Sequence, residues 1–129
     1  MRVAVATPDY KTVGGHAGQA RRWLVFEVEP GHAPTSAGQV ELSKDQVFHH
    51  WRDEAGPHPL DGIAAVIAAS AGEGFLRRMA KRGVAAVMTG ETDPAAAVAA
   101  WCADSVTPPK PRPIGQLLCK VRDLFSEHR

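Results

Sequence analysis

An α/β fold follows from the contrast between the two halves of this 129-residue sequence. Up to about residue 51 the chain reads as strand after strand. Beyond residue 63 it alternates short apolar run, helical pattern, short apolar run and helical pattern, the order of a parallel β-α-β unit. The length suits one domain with a properly buried core, too short for two.

The elements follow in order. Residues 2–7 are short, β-branched and apolar, and Pro8-Asp9 stops them, which marks a buried strand. A glycine-rich turn, Val13-Gly14-Gly15-His16-Ala17-Gly18, leads to a second strand over residues 23–28, closed by Pro30-Gly31. Residues 38–51 read as a third strand on the alternation of Val40 and Leu42 with Gln39, Glu41 and Lys44; the end of this stretch, residues 47–51, fits strand or loop. A fourth apolar run, residues 64–69, ends in Ser70-Ala71-Gly72-Glu73-Gly74. The next segment sets Phe75, Leu76, Met79 and Ala80 against Arg77, Arg78, Lys81 and Arg82, an amphipathic helix for which Gly83 is placed as C-terminal cap. Residues 84–88 repeat the buried-strand pattern. Asp93-Pro94 supplies an N-cap and a first-turn proline for an alanine-rich helix packing through Val98, Trp101 and Cys102. The α/β domain is therefore assigned residues 1–106. Four prolines in residues 107–113 form a stiff linker. Residues 114–129 carry Ile114, Leu117, Leu118, Val121, Leu124 and Phe125 at helical spacing, an appended amphipathic helix.

Composition removes several function classes. Hydrophobic residues at 44% and charged residues at 22% describe a globular chain rather than a disordered one. Fifteen basic residues against fourteen acidic ones leave a net charge of +1, giving no electrostatic reason to expect nucleic acid or an anionic membrane. The longest apolar stretch, residues 63–69, falls far short of the roughly 20 residues that span a bilayer. No secretory signal opens the chain, so a cytoplasmic location is expected. Two cysteines, Cys102 and Cys119, make neither a disulfide framework nor a four-thiolate metal site. Cys102 is expected in the core and Cys119 partly exposed.

Six histidines are the unusual count. His16 stands in a glycine-rich turn, where an imidazole projects from a rigid base and neutral imidazole suits iron; the alternative is a hydrogen bond across the turn. His49, His50 and His58 form a second group beside Phe48 and Trp51. Adjacent strand residues face opposite ways, so His49 and His50 converge on one metal only if the strand ends there. That group reads either as a solvated loop or as a ligand-bearing lid, and its pH dependence would be informative because histidine ligates only when neutral. Gly72-Glu73-Gly74, after a strand and before a helix, has the form of an anion-binding turn for a small anion, a nucleotide, or the organic acid or sulfides of a cofactor. Against a nucleotide, Arg77 replaces the last glycine of Gly-x-Gly-x-x-Gly, no Gly-Lys-Ser/Thr follows, and Glu73 repels phosphate. The basic run 77–82 lacks interleaved aromatics and reads as a solvated helix face.

Two stretches together resemble the dinitrogenase iron-molybdenum cofactor biosynthesis family. Gly15-His16-Ala17-Gly18-Gln19-Ala20, followed by the aromatic strand, is similar to that family's His-Phe-Gly-x-Ala segment; His16, Gly18 and Ala20 match, and Ala17 stands where an aromatic is usual. The run from Val66 through Gly72-Glu73-Gly74, the helix to Gly83, the strand at 84–87 and the helix after Asp93 is similar to its strand, Gly-x-Gly turn, helix, strand and final helix. The resemblance covers about residues 1–105. It implies a ribonuclease-H-like three-layer α/β domain with a mixed five-stranded sheet. It also implies a non-enzymatic role, the binding, storage or transfer of an iron-molybdenum cofactor or iron-sulfur precursor in nitrogenase maturation, with nitrogenase or cofactor-assembly proteins as partners. His16, Gly15, Gly18, Gly72 and Gly74 would then line the cofactor site, with His16, His49, His50 and His58 as the metal-ligand candidates. Nuclease chemistry is not expected, since the first strand offers no carboxylate before Asp9. A second class of function also stays open: an interaction module whose terminal helix docks a partner or forms a homodimer.

Overall fold

A computed structural model of the chain describes residues 1–52 and 56–103. The expected linker at 107–113 and terminal helix at 114–129, with Cys119, lie outside the described residues. Five strands and two helices occur in the order β1 (Arg2–Ala6), β2 (Arg22–Glu27), β3 (Thr35–Glu41), β4 (Ile63–Ala68), α1 (Glu73–Lys81), β5 (Ala85–Met88) and α2 (Pro94–Cys102). They form one mixed sheet in the spatial order β3-β2-β1-β4-β5. β2 runs antiparallel to β1 and β3, with Val3 opposite Phe26 and Val5 opposite Leu24. β4 runs parallel to both β1 and β5, with Ala4 opposite Val66 and Ile67 opposite Val87.

Alternation along each strand divides the core in two. Ala4, Ala6, Trp23, Val25, Val66 and Ala68 face one way, covered by Phe75, Leu76 and Met79 of α1 together with Leu42, Val47, Phe48 and Leu60. Val3, Val5, Leu24, Phe26, Ala65 and Ile67 face the other way and meet Ala97, Val98 and Trp101 of α2. The helices therefore lie on opposite faces of the sheet, α1 as the crossover between parallel β4 and β5 and α2 after the last described strand. Both central strands are buried on both sides, which is why they read as continuous apolar runs.

The caps end the helices where the sequence places them. Asp93 accepts a hydrogen bond from the Ala96 amide at 2.8 Å, and Pro94 follows as the first helical residue. At the end of α1, Gly83 takes φ +72°. Its amide donates to Ala80 O at 3.1 Å and the Val84 amide to Met79 O at 2.9 Å, the paired bonds of a Schellman turn.

Two expectations need correction. The third strand was expected over residues 38–51; it begins earlier and ends at Glu41. Val47 and Phe48 are consecutive, both buried, and both packed into the core on the α1 side, which strand alternation does not allow. They lie in a chain of turns instead, held by Gln46 N–H to Ser43 O and by the His50 and Trp51 amides to Val47 O. Cys102, expected in the core, is exposed: Val98 and Trp101 fill the inner face of α2 and leave Cys102 at its end. Partial burial still pushes the Cys102 thiol up.

Candidate functional site

The site forms where β1 and β4 lie side by side and the chain leaves their carboxyl ends in different directions, the position at which open α/β sheets place ligands. After β1 the chain runs through a tight turn organised by Asp9. Its carboxylate accepts from the amides of Lys11 and Thr12, both at 2.9 Å, and from the hydroxyls of Thr12 and Thr7. Those donors, the two amides first, hold the Asp9 carboxyl at about 2, well below the usual carboxylate range. Beyond it, Gly15 takes φ +101°, a conformation that suits glycine. The loop then pairs with Ser70, two residues past the end of β4: Ala17 N–H donates to Ser70 O at 2.9 Å and Ser70 N–H to Gly15 O at 3.4 Å. The His16–Ser70 bridge continues the parallel β1–β4 ladder past the strand ends, so His16 rides on the sheet rather than on a free loop.

The His16 side chain is held as well. Its Nδ1 lies 3.0 Å from Ser70 Oγ, and its Nε2 points along Gly72, where an added Cβ would come within 3.7 Å. Ser70 Oγ can accept from Nδ1–H, the tautomer that leaves the Nε2 lone pair for a ligand. His16, Gly18, Gln19, Phe48, His49, Gly72, Gly74, Phe75 and Arg78 surround an open cleft of about 360 Å³. Its floor is aromatic. Phe48 packs edge-on against Trp23 and Phe75, at centroid distances of 5.8 and 5.6 Å. Because Phe48 is buried, the next residue, His49, is turned outward over Gly18, to whose carbonyl its amide donates at 2.6 Å.

The expected residues do not all meet. His16 and His49 share the cleft with Gly18, Gly72 and Gly74. Gly15 shapes the loop through its backbone. His50 is exposed and contributes an edge contact to the His49 ring, at 5.0 Å between centroids. His58 departs from the expected ligand set. Only 5% exposed, it stacks on Phe48 at 5.0 Å and meets Trp51 edge-on at 4.8 Å. Its Nε2 is 2.7 Å from Gln46 O and so donates; its Nδ1 accepts from the Leu60 amide at 3.0 Å. Nε2 thereby holds the segment that carries His49, and Nδ1 closes the turn of His58 itself. Among the described residues, no three histidine, cysteine, aspartate or glutamate side chains gather as a metal-binding group.

Sequence reasoning missed Ser70 as the partner of His16 and Phe48 as the floor. It also took the whole basic run for a solvated face. Arg77 and Lys81 are exposed, but Arg78 is half-buried in the cleft wall and donates to Phe48 O, and the Arg82 guanidinium lies 5.9 Å from the Phe48 ring centre. Their i and i+4 spacing, with Arg78 one turn from Phe75 on α1 and Arg82 at its C-cap, was the signal: that row borders the buried stripe. Among the described residues no helix is long and apolar enough to cross a membrane.

Comparison with known proteins matches residues 1–104 to the family described as dinitrogenase iron-molybdenum cofactor. The chain is 31% identical over 103 residues to Protein NifX of Rhodobacter capsulatus, a match covering 76% of this chain and 65% of that relative's length. Two solved structures share the fold. PH0822 superposes with a TM-score of 0.57 at 19% identity, covering 83% of this chain and 93% of its own. The Methanocaldococcus jannaschii protein mj0327 gives 0.58 at 10% identity, covering 83% and 92%.

Proposed function

This chain belongs to the dinitrogenase iron-molybdenum cofactor family, and from that premise we propose that its cleft binds an iron-molybdenum cofactor or an iron-sulfur precursor and holds it for transfer during nitrogenase maturation. The observation that carries this reading is His16, whose Nδ1 is engaged by Ser70 while Nε2 faces the glycine-lined side of the cleft. A metal-ligating histidine normally has its other nitrogen held in this way, which fixes the ring. One imidazole on a firm base, opposite His49 on a separate segment, suits a preassembled cluster that must later leave. Gly72 and Gly74 let the bulk of a cluster approach the backbone. Arg78 puts a positive charge at the same wall, which favours the anionic sulfides or organic acid of the cofactor. The role is carriage rather than catalysis, with nitrogenase or cofactor-assembly proteins receiving the cargo.

Anaerobic titration of the full chain with isolated cofactor tests the proposal. A stoichiometric complex is expected, weakened at least tenfold, or about 1.4 kcal/mol, by His16→Ala. A wild-type chain that takes up no cofactor overturns it.

A further inference from the structure

A second opening lies away from the cleft, on the α2 face of the sheet. Met1, Val28, Pro30, His32, Trp101 and Cys102 border a groove of about 760 Å³. Its character is apolar where it matters. Met1, at 57% exposure, is the one large hydrophobic side chain among the described residues that stands exposed. Val28 is buried beneath it, and Trp101 is half-buried against the same core cluster.

The chain itself supplies an occupant. Trp101 and Cys102 end α2, so residues past 103 start at the rim of the groove. Ten residues, 104–113, separate that rim from the apolar series Ile114, Leu117, Leu118, Val121, Leu124 and Phe125. At the roughly 3.1 Å per residue of a proline-rich connection they span up to about 31 Å, enough to turn back over the groove. A tether whose reach matches the span makes the contact intramolecular, so a modest apolar contact suffices to populate docking. At helical spacing the six apolar positions share one side and Cys119 falls on the other.

We propose that the apolar side of residues 114–125 docks on the groove of the same chain, covering Trp101 and Cys102. The two cysteines report on it oppositely. Maleimide labelling of Cys102 is read in a full chain carrying Cys119→Ser, and labelling of Cys119 in a full chain carrying Cys102→Ser. Cys102 is expected to react at least tenfold faster once Leu118→Asp and Val121→Asp are introduced, while the Cys119 rate changes less than twofold. Both rates should be independent of protein concentration. The substituted positions lie outside the described core, and an unchanged thermal midpoint of the cleft-bearing domain confirms that the gain is local. Equal Cys102 rates with and without the two substitutions overturn the proposal. So does protection of Cys102 that grows with protein concentration alongside a dimer in sedimentation, which would assign the groove to a second copy.

Discussion

His16 and His58 are the same side chain in two bonding states, 42 positions apart in sequence. His58 is buried, stacked on Phe48 and edge-on to Trp51, and spends one nitrogen on Gln46 O and the other on the Leu60 amide. His16 is exposed, spends one nitrogen on Ser70 Oγ, and keeps the other at the glycine wall. The first arrangement makes a clamp, since a ring with two strong partners in a dry setting resists displacement. The second makes a donor. What separates them is how many polar groups the tertiary structure aims at each ring. Neither the residue type nor its local sequence decides this, and a count of histidines says nothing of it.

Substitutions can break this comparison from either side. The largest effect is expected at the clamp: His58→Ala should cost about 2–4 kcal/mol of stability, because it empties a packed aromatic position and strands two buried polar groups. Urea unfolding measures it, and a loss below about 0.5 kcal/mol would show that His58 does not hold the segment. At the donor the balance reverses. His16→Ala should leave urea stability within about 0.5 kcal/mol, as for other exposed positions, while producing the tenfold loss of cofactor uptake expected above. Gly72→Ala sharpens the contrast. Its backbone φ of −86° is open to any residue, and the new methyl would sit 3.7 Å from Nε2. Stability should fall by no more than about 1 kcal/mol for an N-cap glycine replaced by alanine, whereas uptake should drop several-fold by crowding Nε2; unchanged uptake would move the ligand away from that nitrogen. The smallest effect concerns Asp9, which shapes the loop carrying His16 without touching the cleft. Its carboxyl titrates at about 2 in the folded chain against an ordinary 3.8, so folding favours the ionised form. The resulting stabilisation is complete above about pH 4 and is lost as pH falls toward 2. Asp9→Asn keeps an oxygen for the two amides and should flatten that acid limb in thermal unfolding measured between pH 4 and 2.

The two corrected elements show where local reading stops. Residues 38–51 carry a respectable alternation at Val40 and Leu42, yet the true β3 is an edge strand with most of its residues exposed, so hydrophobic pattern marks neither its start at Thr35 nor its end. Its limit is set when the Leu42 amide bonds Arg21 O and the chain turns inward to bury Val47 and Phe48. Arg78 looked solvated because its own helix gives it no partner; the partner is a carbonyl 30 residues earlier.

By itself the sequence determined the central strands, both helices with their caps, the α/β class and the position of His16 in a glycine-rich turn. Each of these rests on interactions within a few residues or on a regular alternation between two buried faces, and such terms are written in adjacent positions. Only the tertiary structure decided that Ser70 would orient His16, that His49 would share the cleft while His58 would not, and that Phe48 would form its floor. Those outcomes depend on which polar group each ring meets across the β1–β4 junction and the 42–52 segment. Such contacts join residues up to 54 positions apart, where no local period carries information.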